Sequence, residues 1–185
     1  IEKAVKVKLN ILDDDGKPAM ASFFITDSIH RIPGRLSGFY PPPSRRVAAY
    51  DEYPDFFFQK QIYRFTGESV QLPPGKYQFF YSRGPEYIPQ QKLIVVPEKK
   101  DSITFSFPLK RWINMAKLGW YSGDHHIHAA GCAHYDSPEE GVPPAFIRRQ
   151  ALGEDLNISA VLTWGPSWYH QKKYPGNYWS ASRRS

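Results

Sequence analysis

Four of the six histidines lie between His125 and His134, and three of them fall in the run Asp124-His125-His126-Ile127-His128. On an extended strand alternate side chains share a face. That rule predicts Asp124, His126 and His128 on one face, with His125 and Ile127 on the other. Two imidazoles one residue apart can grip a single divalent cation through their ring nitrogens. Asp124 is then either a further ligand or a partner that orients a ring. The alternative is a surface histidine cluster that binds no ion. Cys132 falls in the same stretch and reads either as a buried thiol or as a soft ligand between histidines. It is the single cysteine, which excludes an intramolecular disulfide and any cysteine-cluster zinc site.

The neighbouring residues indicate what must hold this run. Gly123 precedes it and Ala129-Ala130-Gly131 follows, so Tyr121–His128 reads as a strand with little bulk at either end. Trp112–Leu118 has a short helical pattern upstream. Downstream, Ser137-Pro138-Glu139-Glu140 has capping-box spacing. Pro143-Pro144 opens a helix expected over Ala145–Leu152, and Ile158–Thr163 reads as a buried strand.

Up to Lys110 the pattern is different. Val5, Val7, Leu9 and Ile11 alternate with Lys6, Lys8 and Asn10, the period of a strand wet on one face. Asp13-Asp14-Asp15-Gly16-Lys17-Pro18 predicts a turn, because Asp-Gly tolerates positive φ. Strands are further expected at Met20–Thr26, Gln61–Phe65, Ser69–Leu72, Tyr77–Ser82, Lys92–Val96 and Ile103–Leu109. Short strands punctuated by Pro73-Pro74-Gly75 and Gly84-Pro85 predict an antiparallel β-sandwich over residues 1–110. Residues 27–58 break the rhythm at Pro33, Gly34, Pro41, Pro42, Pro43 and Pro54 and carry many aromatic rings. Those rings either pack against a neighbouring domain, the favoured reading, or bind a ligand.

Composition excludes several classes. The chain has 185 residues, 41% hydrophobic and 16% aromatic, too rich in rings for a disordered chain. No run approaches the roughly 20 apolar residues that span a bilayer. The net charge of +6 is spread out, with basic runs no longer than pairs such as Arg45-Arg46, Lys99-Lys100, Lys172-Lys173 and Arg183-Arg184. With no basic patch or motif, nucleic acid is not an expected partner, and these pairs read as solvated surface. The start at Ile1 reads as that of a processed or trimmed product.

Two resemblances sharpen the expectations. Val5–Ile11, Asp15-Gly16-Lys17-Pro18-Ala19 and Val70-Gln71-Leu72-Pro73-Pro74-Gly75-Lys76-Tyr77 resemble the carboxypeptidase regulatory-like, transthyretin-like sandwiches of secreted and periplasmic proteins. That likeness implies an accessory domain and an extracellular or periplasmic location. Gly119-Trp120-Tyr121-Ser122-Gly123-Asp124-His125-His126-Ile127-His128 resembles the opening strand of a PHP-type metallohydrolase of the CehA/McbA-like branch. By that resemblance His126 and His128 are paired metal ligands, and His134 takes the place of a third. The family fold is a distorted β/α barrel with its metal cluster at the C-terminal mouth. Residues 111–185 would therefore be the truncated start of such a domain, behind the sandwich.

The implied cofactor is a divalent metal (zinc, manganese or iron). The implied reaction is attack of metal-activated water on a small-molecule ester, carbamate or phosphoester. Two departures stand against a complete site. Thr163-Trp164-Gly165 replaces the family's T-D-H, whose His is a ligand, unless His170 substitutes for it. About 75 residues follow Lys110, whereas a β/α barrel takes roughly 250. The chain alone is thus expected to hold metal weakly and to lack turnover, its partner being the rest of the barrel or a docking protein. The alternatives are a non-catalytic β-sandwich binding module and a structural or vestigial histidine metal site.

Overall fold

A computed structural model describes residues 4–27, 61–128 and 144–161. The chain divides into two compact units, Ile1–Ile113 and Asn114–Ser185. The described residues are mainly β, in several sheets.

The first unit contains β1 (Val5–Leu12), β2 (Met20–Asp27), β3 (Ile62–Phe65), β4 (Ser69–Leu72), β5 (Gly75–Ser82), β6 (Gln90–Val96) and β7 (Ser102–Pro108). Alternation in each strand selects one apolar face, and two sheets bury those faces on one another. A three-stranded sheet runs β4-β1-β7 and a four-stranded sheet runs β3-β2-β5-β6. Val5, Val7, Leu9 and Ile11 of the first meet Phe23, Ile25, Phe79 and Tyr81 of the second in a single core. Phe107 of β7 reaches across to the other sheet. Its ring stands edge-on to Phe23 at 5.2 Å and to Tyr81 at 5.2 Å, and it stacks on Phe79 at 5.3 Å. Edge-on and offset contacts of this kind suit the quadrupoles of aromatic rings.

One expectation needs correction. The arrangement is sandwich-like but not wholly antiparallel, because β1 pairs with β7 in parallel, from Lys6 opposite Ser102 to Leu12 opposite Pro108. A parallel neighbour cannot be joined by a tight turn, and five strands intervene in sequence between the two. The turn expected after β1 forms as read. Gly16 takes φ 79°, and the Asp13 N–H donates to the Lys17 carbonyl at 2.8 Å. The free edge of β7 is covered by side chains of β6. Gln90 Nε2 donates to the Pro108 carbonyl at 2.9 Å and Lys92 Nζ to the Ser106 carbonyl at 2.8 Å. Edge carbonyls that are already bonded offer no template to another chain.

The second unit contains a short 3-10 helix (Met115–Leu118), β8 (Gly123–Ile127), α1 (Pro144–Gly153) and β9 (Ile158–Val161). Asn114 Oδ1 caps the 3-10 helix by accepting the Lys117 N–H at 3.1 Å. Gly119 ends it at φ 83°, returning its own N–H to the Ala116 carbonyl. The helical pattern upstream is therefore shorter than the expected Trp112–Leu118. β8 belongs to neither sheet of the first unit and pairs in parallel with β9, with α1 between them in sequence. A strand, a helix and a parallel strand make one β/α unit. β9 is not a fully buried strand as expected, because Ile158 is 57% exposed. Thr163 lies outside the described residues, as do Ser137–Glu140 and 28–58.

Candidate metal centre

The entry to β8 is fixed by the turn that precedes β9. Asn157 Oδ1 accepts the Ser122 N–H at 3.0 Å and the Ser122 hydroxyl at 3.1 Å, and the Asn157 N–H returns to the Ser122 carbonyl at 3.0 Å. Asp155, just before it, takes φ 52° and offers its carbonyl to the same hydroxyl at 3.0 Å. Asp tolerates this left-handed conformation better than most residues. Gly123 follows at the point of closest strand approach. A Cβ there would meet the Ile158 Cβ at 3.1 Å.

Beyond this clamp the ladder slips. Gly123 stands opposite Ile158 and Asp124 opposite Ser159, but Ile127 stands opposite Val161. β8 therefore spends three steps where β9 spends two, a bulge that re-aims the intervening side chains. The register thus departs between Asp124 and Ile127 from the strict alternation expected from the sequence. The Asp124 carboxylate folds back along its own strand, and Oδ1 accepts the His126 N–H at 3.0 Å.

The two predicted ligands come together. His126 Nε2 lies 3.0 Å from His128 Nε2, with ring centroids 4.9 Å apart. Two nitrogens each about 2.0–2.1 Å from one shared ion stand roughly 3 Å apart, so the pair fits a common divalent cation. The same separation also fits a hydrogen bond between one protonated and one bare nitrogen. The His125 ring is 6.4 Å from that of His126 and nearly perpendicular to it. Asp124 is not brought into the pair as a third donor. Among the described residues no three His, Cys, Asp or Glu side chains form a group that could hold a metal. His134, Cys132, Gly165 and His170 lie outside the described residues.

A second polar cluster, in the first unit, was not anticipated. Asp13 and Arg83 form a buried ion pair, their side chains 5% and 4% exposed. The Tyr87 hydroxyl donates to Asp13 Oδ1 at 2.7 Å and accepts from Arg83 Nη1 at 3.1 Å. The Arg111 guanidinium lies 4.2 Å from the Tyr87 ring centroid, bonds its hydroxyl, and pairs with Glu86 at 2.7 Å. Burial pushes the Asp13 carboxyl up. The hydrogen bond from Tyr87, the charge of Arg83 and the Asp14 N–H outweigh that and hold it below the usual carboxylate value.

The signal for this cluster is present in the sequence. Asp13 continues the inward phase 5-7-9-11, Arg83 continues 77-79-81, and Arg111 continues 103-105-107-109. Each is the next inward position past an apolar run.

No protein-family profile and no curated protein matches this sequence. Among solved structures, the chain resembles a crystal structure of BcpA, the major pilin subunit of Bacillus cereus, at 13% identity and a TM-score of 0.33. The match covers 59% of this chain and 30% of the pilin. Among the described residues, no helix is long and apolar enough to cross a membrane.

Proposed function

We propose that the second unit carries part of the metal centre of a PHP-like metal-dependent hydrolase acting on an ester, carbamate or phosphoester. The observation that carries this reading is the convergence of His126 and His128 to 3.0 Å at Nε2. The parallel pairing of their strand with β9 across a helix adds support, since β/α folds are built from such units. His126 and His128 would hold a divalent ion such as zinc, manganese or iron. When bound, such an ion supplies Lewis acidity and makes water nucleophilic at neutral pH. The chain's own part is to present two imidazoles from β8 and the residue directly after it, anchored at Ser122 by Asn157.

In the same reading the first unit is an accessory β-domain, the polypeptide is extracellular or periplasmic, and its substrate is a small molecule. His134 is the proposed third ligand. Two imidazoles leave most of an ion's coordination to other groups, so a structural histidine site is the competing reading. The test is hydrolysis of bis(p-nitrophenyl) phosphate and p-nitrophenyl acetate by the native polypeptide after chelation and zinc or manganese reloading. Metal-dependent turnover is expected when the rest of the barrel is supplied, not from these 185 residues by themselves, and it should disappear in an H126A/H128A double variant. Metal binding with no turnover would leave the structural site as the better reading.

A further inference from the structure

We propose that Asp124 is a positioning residue for the histidine pair and not a metal ligand, an inference that builds on the metal-centre reading above. Three observations meet at this residue. Its Oδ1 already accepts the His126 N–H at 3.0 Å. The ladder slips by one residue between Asp124 and Ile127, the interval in which that hydrogen bond falls. Directly after it, His126 Nε2 lies 3.0 Å from His128 Nε2.

The physical link between the three is local. An aspartate oxygen that bonds the N–H two residues ahead draws the intervening peptide into a turn, which competes with regular strand pairing. A bulge follows, and the residues within it are rotated relative to the ladder. Here those residues are His125 and His126. A carboxylate engaged in this way faces its own backbone, in keeping with the lack of a three-donor group among the described residues. The sequence pattern alone favours neither role for Asp124. The hydrogen bond favours the backbone role, because it commits Oδ1 to the His126 N–H.

The distinction has a clean chemical test, because asparagine keeps the accepting oxygen and loses the charge. The full chain, its D124N and D124A variants, and H126A/H128A as reference would be compared in two measurements. In metal-free protein, NMR would follow exchange protection of the His126 amide and the nuclear Overhauser contact between the His126 and His128 rings. Zinc titration calorimetry would give affinity. The expected result is that D124A loses amide protection and the ring contact and binds zinc about tenfold or more weakly, the range for losing a group that orients a ligand. D124N should keep the protection and ring contact, with affinity within about threefold of wild type.

An unchanged ring contact in D124A would overturn the proposal. So would a D124N variant that keeps the ring contact yet loses zinc as severely as D124A, since that is the behaviour of a ligand. If H126A/H128A binds zinc as wild type does, the metal reading itself fails. The NMR comparison would still decide whether Asp124 sets the pair.

Discussion

Arg83 and Asp13, 70 positions apart in sequence, form an ion pair that water scarcely reaches, with the Tyr87 hydroxyl bonded to both. Removing one partner of such a pair strands the other charge in a medium that solvates it poorly. Asp13→Asn should therefore destabilise the first unit by about 3–5 kcal/mol, measured by urea denaturation. In a cycle with Arg83→Met, the double variant should cost less than the two single variants together, by about 0.5–3 kcal/mol. Strict additivity would mean that the pair contributes nothing beyond packing.

The same pair gives an acid sensitivity of definite sign. The folded Asp13 carboxyl ionises below its ordinary value of 3.8, so the unfolded chain binds the proton more readily at low pH. Stability from this group is then complete above the ordinary value and is lost as pH falls through the folded one. Denaturation midpoints measured from pH 6 down to pH 2 should fall more steeply for wild type than for Asp13→Asn. Parallel curves would contradict the assignment.

The inward face of each strand in the first unit was legible in the sequence, because a period of two survives in Val5 to Ile11 and again in Ile103 to Leu109. Strand partners were not. Alternation says which face is buried and is silent on which neighbour bonds the edge, so the parallel pairing of β1 with β7 could not be read from it. The histidine pair was legible as two donors two residues apart. The bulge was not, because Gly123-Asp124-His125-His126-Ile127 contains no apolar period from which a slip could be noticed. Buried Arg64 shows the same blindness to polar residues in an inward phase. Its Nε donates to the Ser69 carbonyl of the other sheet at 3.0 Å, and the guanidinium also reaches the Tyr63 carbonyl at 2.8 Å.

Phe107 tests the contact between the sheets. Its ring touches Phe23, Phe79 and Tyr81, and Lys92 Nζ lies 5.4 Å from its centroid. Phe107→Ala should cost about 3–5 kcal/mol, the range for emptying an aromatic site in a packed core. Phe107→Leu should recover part of that loss. Equal losses for Ala and Leu would mean that the site tolerates no aliphatic side chain and that ring contacts alone hold it.

Gly123→Ala tests the closeness of β8 to β9. The added methyl would meet the Ile158 Cβ at 3.1 Å and the Ile158 carbonyl oxygen at 3.4 Å, so one strand must yield by a few tenths of an ångström. The variant should weaken exchange protection of the Asn157 and Ile158 amides, both of which bond the Ser122 carbonyl. Asn157→Ala should do the same by removing the clamp itself, at a cost of about 1–3 kcal/mol for the polar groups it leaves unpaired. Normal protection in both variants would mean that the two strands are held by something other than this contact.

The last expectation separates the three clustered histidines of β8 and its end. His126 and His128 share a point in space, whereas the His125 ring stands 6.4 Å from that of His126 and nearly at a right angle to it. A shared ion loses a ligand when either member of the pair is removed, and it loses nothing comparable when a bystander ring goes. Zinc affinity should therefore fall at least about tenfold in His126→Ala and in His128→Ala, while His125→Ala stays within about threefold of wild type. The double variant should be little worse than either single one, because one remaining imidazole cannot chelate and the two losses describe the same site. Equal losses for His125, His126 and His128 would mean that all three rings act as one diffuse cluster, and unchanged affinity in every variant would leave a surface histidine patch with no ion to hold.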